Sequence, residues 1–212
     1  PVVVAGNTDW NEPAEMLIVL GADHVTAHDA ADGREIWRVG GLNPEGNTFF
    51  RSIASPIVSG EFVIAPYARG NTVTAIRRGG AGDVTASHIV WKREPLGADV
   101  PTPAISDGRL MICGDKGLMS CLDLKTGETI WEDNLPKNRN KFSSSPIIVD
   151  DHVLLTREDG HSWCLAWPGE KGESLTVLGE GILDEMTVAT PVCLDGDIFL
   201  RTHDSLWCIQ SK

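Results

Sequence analysis

The sequence predicts an all-β fold, a β-propeller segment of four-stranded antiparallel blades, and three observations carry that prediction. First, a Ser/Thr-Pro step leading into a short apolar run recurs at Ser55-Pro56, Thr102-Pro103, Ser145-Pro146 and Thr190-Pro191, and Pro1 opens a fifth run. These five prolines stand 55, 47, 43 and 45 residues apart, and a period of roughly 40–50 residues built from short strands marks propeller blades. Second, residues 118–131 read as two strands about a turn, with apolar residues on both sides of Asp123-Leu124-Lys125-Thr126-Gly127 and a closing Trp131. His28 to Trp37 repeats that unit, with Asp29 on Asp123, Gly33 on Gly127 and Trp37 on Trp131, and a third copy ends at Trp91. Third, no window sustains a 3.6-residue apolar period, whereas alternation and short apolar runs bounded by Gly, Asp and Pro are frequent.

Each repeat lays out as strands A to D, which places blades at about 1–41, 56–94, 103–135, 146–180 and 191–212 of one domain. In the first, A is 1–4, an Asn-rich insertion spans 6–14, and B, C and D follow at 16–20, 25–29 and 35–39. The second has A from Pro56, B at 62–66, C at 72–76 and a C–D turn stretched over 77–86 before Trp91. The third, 103–135, is the most regular. The fourth has A at 146–149, B at 153–156, C at 162–165 and a longer turn at 167–172, and its D strand carries Thr176 where the others carry Trp. The fifth offers A at Pro191, B at 198–201 and C at 206–210, so it is three-stranded and the expected total is nineteen strands. Residues 181–188 are the one stretch whose pattern is ambiguous.

Turn and packing chemistry explain the recurring residues. The glycines Gly33 and Gly127 supply a positive φ at the C–D turn, while Asp29 and Asp123 cap turn N–H groups. Trp37, Trp91 and Trp131 are large enough to fill the space between twisted sheets and are expected to be blade-packing residues. Ser/Thr-Pro sets an extended backbone leading into strand A.

With these residues in place, the unit resembles the pyrroloquinoline-quinone-like repeat, in which a Leu-Asp-x-x-Thr-Gly-x-x-x-Trp turn and strand end each blade. Leu122 to Trp131 fits closely, His28 to Trp37 nearly so, Ala75 to Trp91 loosely, and 164–176 without its Trp. The resemblance covers the whole chain and implies the propeller fold; it extends over quinoprotein dehydrogenases and outer-membrane assembly lipoproteins. It leans toward the non-enzymatic assembly branch, which implies an extracytoplasmic or periplasmic setting. A dehydrogenase of the family would be expected to show a vicinal Cys pair, a Ca²⁺ site and a catalytic Asp. The chain has no Cys-Cys dipeptide and no Cys-x-x-Cys-His. A fragment of a quinoprotein oxidoreductase, or a structural repeat domain of a larger protein, stands as the alternative.

Other chemistry finds little support. The formal charge of −12 and 18 scattered basic residues do not suit a nucleic-acid partner, which needs clustered cations. No apolar run approaches the roughly 20 residues of a membrane-spanning helix. Asp29-x-x-Asp32-Gly33 lacks the further acidic ligands of a Ca²⁺ loop, and the six His are dispersed. Cys121, Cys164 and Cys208 occupy one repeat position and read as small buried apolar residues. No Gly-x-Ser-x-Gly, phosphate loop or His-Glu-x-x-His is present, and no cofactor or metal is expected.

What remains is surface. The D–A connections are long and, in a propeller, share a face with the B–C turns, where a rigid scaffold usually places recognition. Phe49, Phe50 and Arg51 in one connection, and Arg139, Lys141 and Phe142 in another, mix aromatic and basic residues as a partner surface does. His24 and His161 fall at one repeat position, beside the start of strand C. These residues predict a protein or peptide partner. Because the chain begins at Pro1 inside a repeat and its fifth blade lacks strand D, it reads as the C-terminal part of a seven- or eight-bladed ring. Self-association through the open strand edges is then expected.

Overall fold

The computed structural model describes residues 1–10, 12–21, 23–167 and 175–210. Within each blade successive strands pair antiparallel, because most of the turns that join them are too short for anything else. The first sheet comprises β1 (Val2–Ala5), β2 (Glu15–Leu20), β3 (Val25–Asp29) and β4 (Glu35–Val39). The second holds β5 (Ile57–Ser59), β6 (Phe62–Tyr67) and β7 (Thr72–Arg77), and is closed by β9 (Ile89–Arg93) after the two-residue β8 (Gly82–Asp83) and the single helical turn α1 (Thr85–His88). The third is β10 (Ala104–Ser106), β11 (Arg109–Cys113), β12 (Leu118–Asp123) and β13 (Thr129–Asn134). The fourth is β14 (Ile147–Val149), β15 (His152–Thr156), β16 (His161–Ala166) and β17 (Val177–Ile182). The fifth has three strands, β18 (Val192–Leu194), β19 (Asp197–Arg201) and β20 (Leu206–Ile209). Among the described residues these are propeller blades, four built on four antiparallel strands and one on three.

Local chemistry fixes this register. Two-residue A–B turns at Asp107-Gly108, Asp150-Asp151 and Asp195-Gly196 open with Asp at φ of 50°, 52° and 53°. Asp tolerates that left-handed conformation better than most residues, and it suits the hairpin twist. In the C–D turns Gly33 and Gly127 sit at φ of 76° and 71°. The Asp29 carboxylate accepts the Ala31 N–H at 3.0 Å, and that of Asp32 accepts the Arg34 N–H at 2.9 Å. Asp123 closes its turn through its own N–H, donated to the Glu128 carbonyl at 2.9 Å. Every C–D pair then carries a bulge at one place, after Ala27, Ala75, Cys121 and Cys164.

That shared bulge aligns the blades. Trp37 lies opposite Ala27, Trp91 opposite Ala75 and Trp131 opposite Cys121. In the fourth blade the residue opposite Cys164 is Gly179. Thr176 is therefore not the counterpart of the tryptophans: the strand starts one residue later and runs on to Ile182, two past the expected blade end at 180. A strand without a Trp has no sequence marker of its register. The longer turn of this blade, past Trp167, lies outside the described residues.

The insertion 77–86 also departs from a plain loop. β8 adds in parallel to the outer edge of β4, pairing Trp37 with Gly82 and Arg38 with Asp83, so the first sheet has five strands and the described residues form twenty strands in all. Asp83 accepts the Thr85 N–H, and Thr85 Oγ1 in turn accepts the Gly40 N–H at 2.8 Å.

The chain divides into two compact units, 1–99 with 125–127, and 100–124 with 128–212. In the first unit one face of the first sheet, with Ile18, Val25, Ala27, Trp37 and Val39, packs on Val63, Ala65, Tyr67 and Ile76 of the second. Here Trp37 is 0% exposed. Arg78 and Glu12 form a buried pair at 2.8 Å beside them, with the Arg78 guanidinium 5.4 Å from the Trp10 ring, and this fastens the insertion 6–14. Trp91 lies against Gly127, where an added Cβ would stand 2.6 Å from the indole. In the second unit Met111, Cys113, Met119, Cys121 and Trp131 pack on Val153, Leu155, Trp163 and Leu165, and Trp131 is 6% exposed. The hydroxyls before the prolines have a role there that the sequence did not reveal. Ser145 Oγ accepts the Thr102 N–H at 2.9 Å, and Thr190 Oγ1 accepts the Ser145 N–H at 3.0 Å, so each lead-in is tied to the next.

Candidate partner-binding face

The D–A connections are built as braced loops. In the first unit, Asn43 and Asn47 exchange backbone and side-chain bonds, with the Asn47 N–H donating to Asn43 Oδ1 at 2.8 Å and Asn43 Nδ2 donating to the Asn47 carbonyl at 3.1 Å. Asn43 N–H also donates to the Asp23 carboxylate of the B–C turn. This bracing fixes the following residues. Phe49 stands out at 76% exposed, whereas Phe50 is half-buried, edge-on to Tyr67 at 6.0 Å between ring centres. Arg51 is engaged by the buried Asp99 carboxylate, with Nε at 3.1 Å. Of the three residues proposed for this surface, Phe49 and Arg51 are exposed, Arg51 being tied into its ion pair, and Phe50 is held by apolar burial. His24 is partly exposed, with its ring against Gly40 and Nδ1 3.9 Å from Asp23.

In the second unit the connection 135–146 is laced to the B–C turn of the next blade. Glu158 N–H donates to the Lys141 carbonyl at 2.9 Å, Ser143 Oγ donates to Glu158 at 2.6 Å, and Asn140 Nδ2 donates to Asp159 at 3.3 Å. Arg157, itself buried, forms a fork on Asp159 at 2.9 and 3.0 Å, and its guanidinium lies 5.0 Å from the Trp163 ring. Burial alone would raise the Asp159 carboxyl, but the Arg157 fork and the His161 N–H outweigh it and hold the group below the usual range.

Phe142 corrects the sequence reading. It is 1% exposed, tilted against Trp163 at 5.6 Å, and belongs to the core rather than to the surface. His161 also stacks on Trp163, at 4.0 Å, with Nε2 3.0 Å from Glu180. Lys137, Arg139 and Lys141 remain exposed. Beside them a cleft of about 410 Å³ is lined by Asn140, Glu158, Asp159, Asp184, Glu185 and Met186. The connection 183–190 repeats the lacing, with Thr187 Oγ1 on the Arg201 carbonyl at 2.7 Å and Ser205 Oγ on Glu185 at 3.1 Å, and it leaves Met186 and Val188 exposed.

Among the described residues, no three His, Cys, Asp or Glu side chains gather as a metal site, and no helix is long and apolar enough to cross a membrane. Burial pushes the Cys121 thiol up to about 11 and the Cys113 thiol higher still, so neither is a ready nucleophile.

Antiparallel blades with D-strand tryptophans and Ser/Thr-Pro lead-ins define a β-propeller repeat protein of the pyrroloquinoline-quinone-like type. Within that class the family described as outer membrane protein assembly factor BamB matches residues 7–87 and 77–174, and the chain belongs to it. Among solved structures, BamB from Moraxella catarrhalis is similar with a TM-score of 0.64 and 17% identity, over 92% of this chain and 56% of that one. The computationally designed Ika4 protein gives 0.60 and 13% over 84% of this chain and 99% of that one. Raptor from Chaetomium thermophilum gives 0.67 and 10% over 93% and 20%. At such identities the likeness is one of fold. The chain spans about half the length of the Moraxella protein, 56%. No curated protein matches it in sequence.

Proposed function

We propose that the chain is a non-catalytic propeller scaffold, acting as one repeat domain, that recognises a protein or peptide through its D–A connections and B–C turns. The observation that carries this is Phe49, a large apolar side chain left 76% exposed on a loop whose backbone is pinned by Asn43 and Asn47. Pinning lowers the entropic cost of presenting an aromatic anchor, and aromatic and basic residues are those that dominate protein interfaces. Arg139 and Lys141 stand on a connection braced in the same way. Membership of a family described as an outer membrane protein assembly factor supports a partner among outer-membrane proteins under assembly, and a periplasmic setting. A photo-crosslinking side chain placed at Phe49, at Lys141 and, as a control, at Asp32 in a C–D turn tests this on envelope extracts. Crosslinks to a protein are expected at 49 and 141 and not at 32. Equal labelling at all three positions, or none at 49 and 141, would overturn it.

A further inference from the structure

The fourth and fifth sheets leave between them a space of the kind that is filled between the third and fourth. On the third sheet the face toward its successor carries Met111, Cys113, Met119, Cys121 and Trp131. The register places Leu154, Thr156, Ser162, Cys164 and Gly179 at the same points of the fourth sheet. Met119 is thus replaced by the smaller Ser162 and the Trp131 indole by the hydrogen atom of Gly179, while Leu154, Thr156 and Cys164 are about the size of the groups they replace. The result is a cavity of about 320 Å³ bounded by these residues and, across from them, by Ile198, Leu200 and Ile209. Thr156 and Ser162 bond one another at 2.9 Å, so the polar atoms on this wall are already satisfied. A Cβ added at Gly179 or at Gly181 meets nothing within 4 Å, and neither residue has a left-handed backbone that would exclude a side chain.

Charge around the space has one sign. A second cavity of about 430 Å³ shares Leu154, Cys164 and Ile198 with the first and adds Asp150, Asp195 and His152. The described lining of the two contains no Lys or Arg, and Glu180 borders the first. We propose that this pair of cavities is a binding site for an arylalkylamine: an indole-sized ring occupying the place held elsewhere by Trp37, Trp91 and Trp131, with its ammonium toward Asp150 and Asp195. An apolar cavity that its own chain leaves empty readily takes a small aromatic molecule, and carboxylates at its edge select the cation. This site is separate from the loop face and does not depend on what that face binds.

Thermal unfolding of the whole chain with tryptamine, indole and indole-3-acetate tests it, with Gly179→Trp as the blocked variant. Tryptamine at a hundred times its Kd should raise the melting midpoint by roughly 5–10 °C. It should bind about tenfold more tightly than indole-3-acetate. Gly179→Trp should melt higher than the parent without ligand and lose the response. The proposal is overturned if no ligand gives a saturable shift or if Gly179→Trp responds like the parent. It is overturned equally if indole-3-acetate binds as tightly as tryptamine.

Discussion

Replacing Trp37 by Ala removes the largest fully buried side chain of the first unit, where it joins the first and second sheets. A buried indole withdraws about 150–250 Å² from water, worth roughly 4–6 kcal/mol at 25 cal/mol per Å². Two effects lower that figure. The unfolded chain already buries part of its apolar surface. In addition, Trp37 Nε1 is buried with no partner among the described residues, and removing such a group relieves about 1–3 kcal/mol of desolvation. The expected net loss is about 3 kcal/mol, at the lower end of the usual penalty for Trp or Phe to Ala in a core. Trp37→Phe separates the two contributions, since it keeps most of the ring volume and deletes the unpaired N–H. It should cost less than about 1.5 kcal/mol. Urea unfolding followed by far-UV circular dichroism, with midpoints converted through the slope m, reads both values. An alanine variant losing under about 1 kcal/mol, or a phenylalanine variant losing as much as alanine, would refute the packing argument.

Two further outcomes follow from local geometry. Gly127→Ala should destabilise by about 2–3 kcal/mol, because the new Cβ would stand 2.6 Å from Trp91 at a φ of 71°. Gly33→Ala, at φ 76° with nothing near its Cβ, should lose only the roughly 1–2 kcal/mol of left-handed strain; equal losses in urea melts would dismiss the role of the Trp91 contact. Asp159 concerns acid stability. Its folded carboxyl titrates below the ordinary value of about 3.9, so its contribution is complete above that value and disappears as pH falls through the lower, folded one. The stability difference between the parent and Asp159→Asn should stay flat from pH 7 to pH 5 and shrink only below about pH 4; a difference that already declines between pH 7 and 5 would count against the Arg157 fork.

The parts of the fold legible in the sequence were those enforced by local backbone chemistry. Asp-Gly hairpin turns, the glycines at 33 and 127, and the proline period fix strand order without reference to anything distant. The parts that escaped depend on partners far along the chain. By spacing alone Thr176 falls where Trp131 stands, because a strand without its tryptophan offers no marker of register, and only hydrogen bonding shows Gly179 in that place. Phe142 lies between Lys141 and Ser143 in a polar stretch, and its burial depends on Trp163, twenty-one positions later. The pair of Glu12 with Arg78 and the serine and threonine ties between lead-ins escaped for the same reason. A motif showed that Ser or Thr recurs before Pro, but not which N–H each hydroxyl receives.

The parallel strand that the second blade lends to the first changes how these two repeats come apart. In a linear array each repeat interacts with its neighbour through packed faces alone, and the ends can peel away one at a time. Here Val84 N–H donates to the Arg38 carbonyl at 2.9 Å and the Gly40 N–H reaches Thr85. Those bonds come from a segment that precedes β9 by only a few residues. Blade one therefore cannot shed its D strand without pulling on the chain that closes blade two. The two repeats form a single cooperative unit, and a fluctuation that frays one is transmitted along the backbone to the other.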